Sequence, residues 1–268
     1  MSTTRSAVGE NDRLRISAVS FLNTVPLVWG LLQRPQPHID LRFCVPARVA
    51  DDLDEGVADI GIVPCGEIDR LGLSFFPETG IACTGAVRSI LLISRVPPGQ
   101  IRTLAADASS RTSVLLARII LSERYGSNPV VRSCPPVLAD MLQSADAALV
   151  IGDPALRLDP ARISHRVLDL GEEWLGLSGL PMVFAVWAGR QAALTAQARQ
   201  LFLGSCLEGV ANVDAIAAAA PDSHGIPEEI ARVYLTRNIQ FLLTPEHLKG
   251  LASYRARAAA LLYSTVMT

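Results

Sequence analysis

Apolar residues fall in short dense runs separated by polar turns and helix-like stretches. Leu14–Phe21 (LRISAVSF) is rich in apolar and β-branched residues and predicts a strand. It runs into Asn23-Thr24-Val25-Pro26, where Asn or Thr ahead of proline signals a helix start, with the helix reaching about Leu32. Leu41–Val45 predicts a second strand. Pro46 opens a helix to about Glu55, with Val49 and Leu53 four apart on one face. Asp59–Val63 (DIGIV) predicts a third strand, ending at Pro64. Strand, helix, strand with short connections is the pattern of a parallel α/β sheet.

Ser89–Ser94 (SILLIS) predicts a buried strand, and Val96-Pro97-Pro98-Gly99 after it is the expected crossing to a second lobe. Beyond it, Ile101–Ala106, Val130-Val131, Ala147–Ile151 and Val167–Leu170 predict strands, with helices over Val114–Tyr125 and Leu138–Ser144. Met182–Trp187 predicts a strand leading back to the first lobe, and only helices are expected after Gln191. The expectation is an α/β chain in two lobes. One takes residues 13–96 with 190–268 and the other residues 97–189, behind a flexible tail of residues 1–12. Ligands of α/β sheets bind at the carboxyl ends of strands, so the polar turns that follow these strands should converge on the interlobe cleft.

Composition narrows the chemistry. The 268 residues are 50% hydrophobic and 19% charged, enough to build cores and inconsistent with intrinsic disorder. A net charge of -2 gives no pull toward nucleic acid or anionic lipid, so neither partner is expected. Mean hydropathy is +0.32, yet the uncharged stretch Leu175–Gly189 falls short of the ~20 residues a spanning helix needs, and Pro181 interrupts it. Met1–Arg13 is polar, without an apolar signal core, and a cytoplasmic location is expected. The five cysteines are scattered with no C-x-x-C, which fits reduced thiols rather than disulfides or zinc. Lys249 is the one lysine, in no Schiff-base or P-loop motif. The four histidines share no close spacing, and no G-x-G-x-x-G or G-x-S-x-G occurs. No metal and no cofactor is expected.

Four turns carry the remaining polar chemistry. Asn23-Thr24 reads either as a helix cap or as an amide, beside free helix N–H groups, aimed at a ligand. Ser109-Ser110-Arg111-Thr112-Ser113 offers hydroxyls, a guanidinium and a helix start, a combination that can hold a carboxylate or phosphate; the alternative is a redundant cap. Gly152-Asp153 after a buried strand places a carboxylate at the cleft or at the start of the next helix, and Pro154 strengthens the second reading. Glu67, after Pro64-Cys65-Gly66, is a cleft carboxylate or an exposed turn residue. The residues alone reach as far as a two-lobed α/β protein whose cleft binds a small anion.

The segments Val19–Leu27 (VSFLNTVPL), Ser109–Ser113 (SSRTS), Ala145–Leu156 (ADAALVIGDPAL), Asp169–Trp187 and Tyr234–Leu251 (YLTRNIQFLLTPEHLKGL) together resemble the chorismate dehydratase family of the futalosine route to menaquinone, in order over about residues 14 to 263. The resemblance implies the two-lobed fold of type 2 periplasmic solute-binding proteins, a hydro-lyase acting on chorismate, and Asn23 and Ser89 facing the substrate. Thr24, Glu67, Gly152 and Asp153 join the serine-rich turn as expected substrate contacts. The chain departs from the family pattern at Phe21, where tyrosine is usual, and at Ala47 and Cys65, where serine is usual. The base stays open between Glu67, Asp153 and the substrate's own enolpyruvyl carboxylate, the last favoured because the matching motifs are dominated by neutral donors. A non-catalytic small-anion binder on the same fold and the related cyclase of the same pathway are the rival readings. Either a monomer or a homodimer fits.

Overall fold

The computed structural model describes residues 13–107 and 111–266, so the expected tail 1–12 and Ser109 and Ser110 lie outside the described residues. The chain begins with β1 (Leu14–Val19), a 3-10 turn (Leu22–Thr24), α1 (Val25–Gln33), β2 (Ile39–Cys44), α2 (Pro46–Asp54) and β3 (Ile60–Pro64). Then come α3 (Ile68–Leu71), β4 (Ser74–Cys83), β5 (Ile90–Ser94), β6 (Thr103–Ala106) and α4 (Arg111–Tyr125). They lead to β7 (Val130–Ser133), α5 (Leu138–Ser144), β8 (Ala147–Ile151), α6 (Gly152–Leu156), β9 (Arg166–Asp169) and α7 (Leu170–Ser178). The chain closes with β10 (Met182–Gly189), α8 (Ala196–Ala211), α9 (Val213–His224), α10 (Glu228–Val233), β11 (Gln240–Leu242) and α11 (Pro245–Val266).

Two sheets form. The first runs β11-β4-β10-β3-β1-β2 and the second β7-β6-β8-β5-β9. β1, β2 and β3 are mutually parallel, as are β6, β7 and β8; β10 and β5 insert antiparallel beside them. Every residue of β10 is buried, and its Trp187 stacks on Phe202 of α8 with ring centroids 4.0 Å apart. α8 lies against α1 at close range: a Cβ on Gly209 would stand 2.0 Å from the Pro26 carbonyl oxygen, and Ser205 Oγ donates to Leu27 O at 3.0 Å. Among the described residues, no single helix is long and apolar enough to cross a membrane.

The strands exchange lobes relative to the expected boundaries. With limits at 96/97 and 189/190, β5 would belong to the first lobe and β10 to the second. β5 instead pairs with β8 and β9, and β10 with β3 and β4. The crossing is therefore the segment Thr84–Ser89, not the double proline, which sits in a 3-10 turn leading to β6. Asp169 pins that crossing, its carboxylate accepting from Val87 N at 2.8 Å and Arg88 N at 2.6 Å. Arg88 there has φ 64, a left-handed conformation that costs a non-glycine residue and needs such support. All five residues of β5 are buried, so the strand suits a central position covered on both faces, which the second sheet offers.

β4 and β11 were not expected as strands. Pro77 and Gly80 interrupt the apolar pattern of β4 and its pairing with β10 shifts register twice. β11 is only three residues long between helical segments.

Candidate functional site

A cavity of about 520 Å³, counting the open solvent at its mouth, lies between the lobes. The first lobe contributes the ends of β1 and β3 and the turn carrying Phe21 and Asn23; the second contributes Ile151-Gly152 and the start of α4; the crossing supplies Ser89. The described wall holds only neutral side chains, and its side-chain hydrogen-bonding groups are the Asn23 amide and the hydroxyls of Ser89, Thr112 and Ser113.

The Asn23 turn is set from both lobes. Leu22 N donates to Asp153 Oδ1 of α6 at 3.0 Å. Asn23 Nδ2 donates to the hydroxyl of Tyr234 at 2.9 Å, and its Oδ1 is buried without a partner. Neither Asn23 nor Thr24 caps α1 through its side chain. Of the two readings of this turn, the side-chain cap is absent and Asn23 lines the cavity. Thr24, also expected at the substrate, is fully buried and lies outside the described cavity wall.

Ser89 is 2% exposed and its Oγ accepts from the Tyr234 hydroxyl at 2.9 Å. Thr112 and Ser113 occupy the first turn of α4, where backbone N–H groups are unpaired by the helix and the helix dipole favours an anion. Thr112 Oγ1 also accepts from Gly66 N of the first lobe at 2.8 Å. Gly152 has φ +63, and a Cβ there would stand 2.5 Å from the Phe21 ring. Glycine lets the two lobes close with that ring over the peptide, and Phe21, lacking a phenol, adds only apolar surface there.

The two carboxylates expected at the cleft are not in its wall. Glu67, in a 3-10 turn, is 2% exposed and accepts from Arg70 Nε at 2.6 Å and Arg111 Nη1 at 2.9 Å. Asp153 turns away to hold Leu22 N and His224 Nδ1, the latter at 2.7 Å, while Arg157 Nη2 donates to the His224 carbonyl at 2.6 Å. Each carboxylate ties one lobe to the other, because a buried charge is stable only when paired and hydrogen-bonded. The two departures Ala47 and Cys65 also lie off the cavity wall, and burial pushes the Cys65 thiol far up, leaving it a small apolar filler.

Tyr234 opens one of the segments that carry the resemblance, but nothing in its local sequence assigns it to the site. It touches Asn23 and Ser89 from 211 and 145 residues away, and no spacing rule connects positions so distant. His224 is similar: its partner Asp153 is 71 residues away.

Known proteins share this architecture. A family model described as menaquinone biosynthesis matches residues 14–260. The chorismate dehydratase of Thermus thermophilus is 28% identical over 202 residues, covering 69% of this chain and 73% of that protein. Protein AF1704 from Archaeoglobus fulgidus superposes with a TM-score of 0.73 at 14% identity, over 94% of this chain and 98% of its own. The periplasmic aliphatic sulphonate binding protein SsuA from Escherichia coli superposes at 0.68 with 14% identity, over 96% and 88%. These two likenesses establish the two-lobed periplasmic-binding-protein-like fold. With the match running through nearly the whole described chain, this protein belongs to the menaquinone biosynthesis family.

Proposed function

We propose that the protein is a chorismate dehydratase, a hydro-lyase that removes water from chorismate to give 3-[(1-carboxyvinyl)oxy]benzoate. The observation that carries this reading is the cavity wall: neutral donors from both lobes beside a helix start, with no charged side chain among its described residues. Chorismate is a dianion whose C3 hydrogen is acidified by the ring carboxylate through a double bond. Removing that proton spreads an electron pair onto the ring carboxylate. The pair returns to expel the C4 hydroxyl and the ring becomes aromatic. The driving force lies in the substrate, so the site has to orient it and stabilise the developing charge.

Asn23 and Ser89 act as donors to that charge, and Thr112, Ser113 and the N–H groups of α4 hold a carboxylate. Ser109 and Ser110 are assigned to the same carboxylate by sequence resemblance. Gly152 serves by close approach of its backbone. The base is the enolpyruvyl carboxylate of chorismate, which takes the C3 proton and returns it to the departing hydroxyl, so that one water leaves. Glu67 and Asp153 are already held by protein partners outside the wall and act by joining the lobes.

The test is to incubate the purified protein with chorismate and follow the product by proton NMR. New aromatic signals with the enolpyruvyl methylene retained are expected. Chorismate recovered unchanged, although bound, would overturn the assignment in favour of a binding protein.

A further inference from the structure

Tyr234 stands behind the two donors of the proposed reaction, and the role assigned to it rests on that reading of the site. Its side chain is 1% exposed and does not reach the cavity wall. It opens a π-helical turn, Tyr234–Asn238, in which Ile239 N donates to Tyr234 O at 3.1 Å. Such turns are rare and tend to occur at functional sites. The far end of the turn is fastened to the lobe crossing, where Asn238 Nδ2 donates to Ala86 O at 2.9 Å.

The hydrogen bonds at Tyr234 have a fixed direction. The Asn23 amide nitrogen has no acceptor capacity, so the phenol oxygen receives its hydrogen. The phenol's own hydrogen goes to Ser89 Oγ. That occupies a lone pair of Ser89 and leaves the serine O–H to donate elsewhere, and Ser89 is in the cavity wall. Bonds in such a chain strengthen one another, so a serine that accepts from tyrosine donates better. Burial pushes the phenol pKa far above its ordinary value, so the proton stays on the oxygen throughout the range in which the enzyme would be assayed.

We propose that Tyr234 is a positioning residue that aims the Ser89 hydroxyl and the Asn23 amide at the substrate, making one oriented donor pair from the first lobe and the crossing. It touches no substrate atom. Its contribution is realised in kcat, because the aim of the donors matters most when charge develops.

The test is a double-mutant cycle with Tyr234→Phe, Ser89→Ala and the pair, reading kcat, KM, calorimetric affinity for 3-[(1-carboxyvinyl)oxy]benzoate and melting temperature. Tyr234→Phe should lower kcat about tenfold, the size of one lost hydrogen bond, with KM and product affinity within about twofold. Tyr234→Phe should slow Ser89→Ala by clearly less than it slows the wild type, because the share of its effect that passes through Ser89 is already lost and only the share through Asn23 remains. Wild-type kcat in Tyr234→Phe, or full additivity in the pair, would overturn the inference while leaving the reaction assignment intact. A wild-type protein that makes no aromatic product would overturn both. Should Tyr234→Phe fail to fold, site-specific 3-fluorotyrosine at 234 keeps the ring and makes the O–H a stronger donor. A changed kcat at unchanged product affinity then supports the inference, and an unchanged kcat overturns it.

Discussion

Asn23, Ser89, Thr112 and Ser113 meet the cavity as amide and hydroxyls, whereas Glu67 and Asp153, close by in the chain, are drawn into hydrogen bonds with protein partners outside it. One turn serves both purposes: Gly66 N donates to Thr112 while the next residue, Glu67, pairs with Arg111. The division follows from what each region must accommodate. At Glu67 and Asp153 the groups that hold the carboxylate belong to the protein, and these contacts hold the lobes together. In the cavity a protein carboxylate would face the two carboxylates of the proposed substrate, and like charges in a partly dry site repel strongly. Neutral donors avoid that repulsion and still stabilise charge as it forms.

The largest expected effect breaks the cavity side. Asn23→Ala and Ser89→Ala should each lower kcat at least about 10²-fold, the range for losing one donor to developing charge. Because Asn23 caps no helix through its side chain, Asn23→Ala should lower the melting temperature by no more than the about 2–4 °C that its one hydrogen bond to Tyr234 contributes. Near-normal kcat with a clear fall in melting temperature would mean the residue is structural. Next, Thr112→Val should raise KM about tenfold and change kcat little, because a contact to a carboxylate already charged in the ground state binds substrate and transition state alike. Steady-state kinetics on the purified variant separates the two constants.

The rim side should respond in the opposite sense. Glu67→Gln and Asp153→Asn should leave kcat within about tenfold but lower the melting temperature by about 2–4 °C for each kcal/mol lost. In either variant, a loss of more than about 10³-fold in kcat at constant KM would identify the general base and defeat the substrate-carboxylate assignment.

The smallest effect tests whether charge at the periphery matters at all. Asp69 on α3 pairs with Arg255 on α11, and that hydrogen bond holds its carboxyl below the usual carboxylate range. A lowered folded-state pKa means the pair contributes stability above the ordinary carboxylate pKa of about 4 and loses it as pH falls through the lowered value. Asp69→Asn should therefore cost less than about 1 kcal/mol at neutral pH, as expected of an exposed pair, and nothing in strong acid. Denaturant titrations of both proteins at pH 7 and pH 2.5 measure the difference.

The local grammar of the first lobe was legible from the chain. Leu14, Pro46 and Pro64 mark the ends of real elements, because strand runs and proline starts are set by neighbouring residues. The lobe boundary was not, since Pro97-Pro98 imitates a linker while the actual crossing is held by Asp169, 81 residues from Arg88. The cavity lining was legible where segments follow strands, at Asn23, Thr112 and Gly152, and the resemblance added Ser89, which ends the crossing. It was illegible wherever a partner comes from far along the chain. Glu67 and Asp153 look like cleft carboxylates until Arg111 and His224 arrive, and Tyr234 carries no local sign of its hydroxyl's partners.

The interleaving of the two sheets has a consequence for the order of assembly. The second sheet is built entirely from residues 90–169, a contiguous segment, whereas the centre of the first waits for β10 and its edge for β11. A growing chain can complete the second sheet while β3 and β4 still lack the strand that joins them. Closing the first sheet requires pairing across more than a hundred residues, between Ile60–Pro64 and Ala185–Gly189, and long loops make that step slow. Pulsed hydrogen exchange during refolding should therefore protect β5 and β8 before β3 and β10. Simultaneous protection of all four strands would show that the lobes form as one unit.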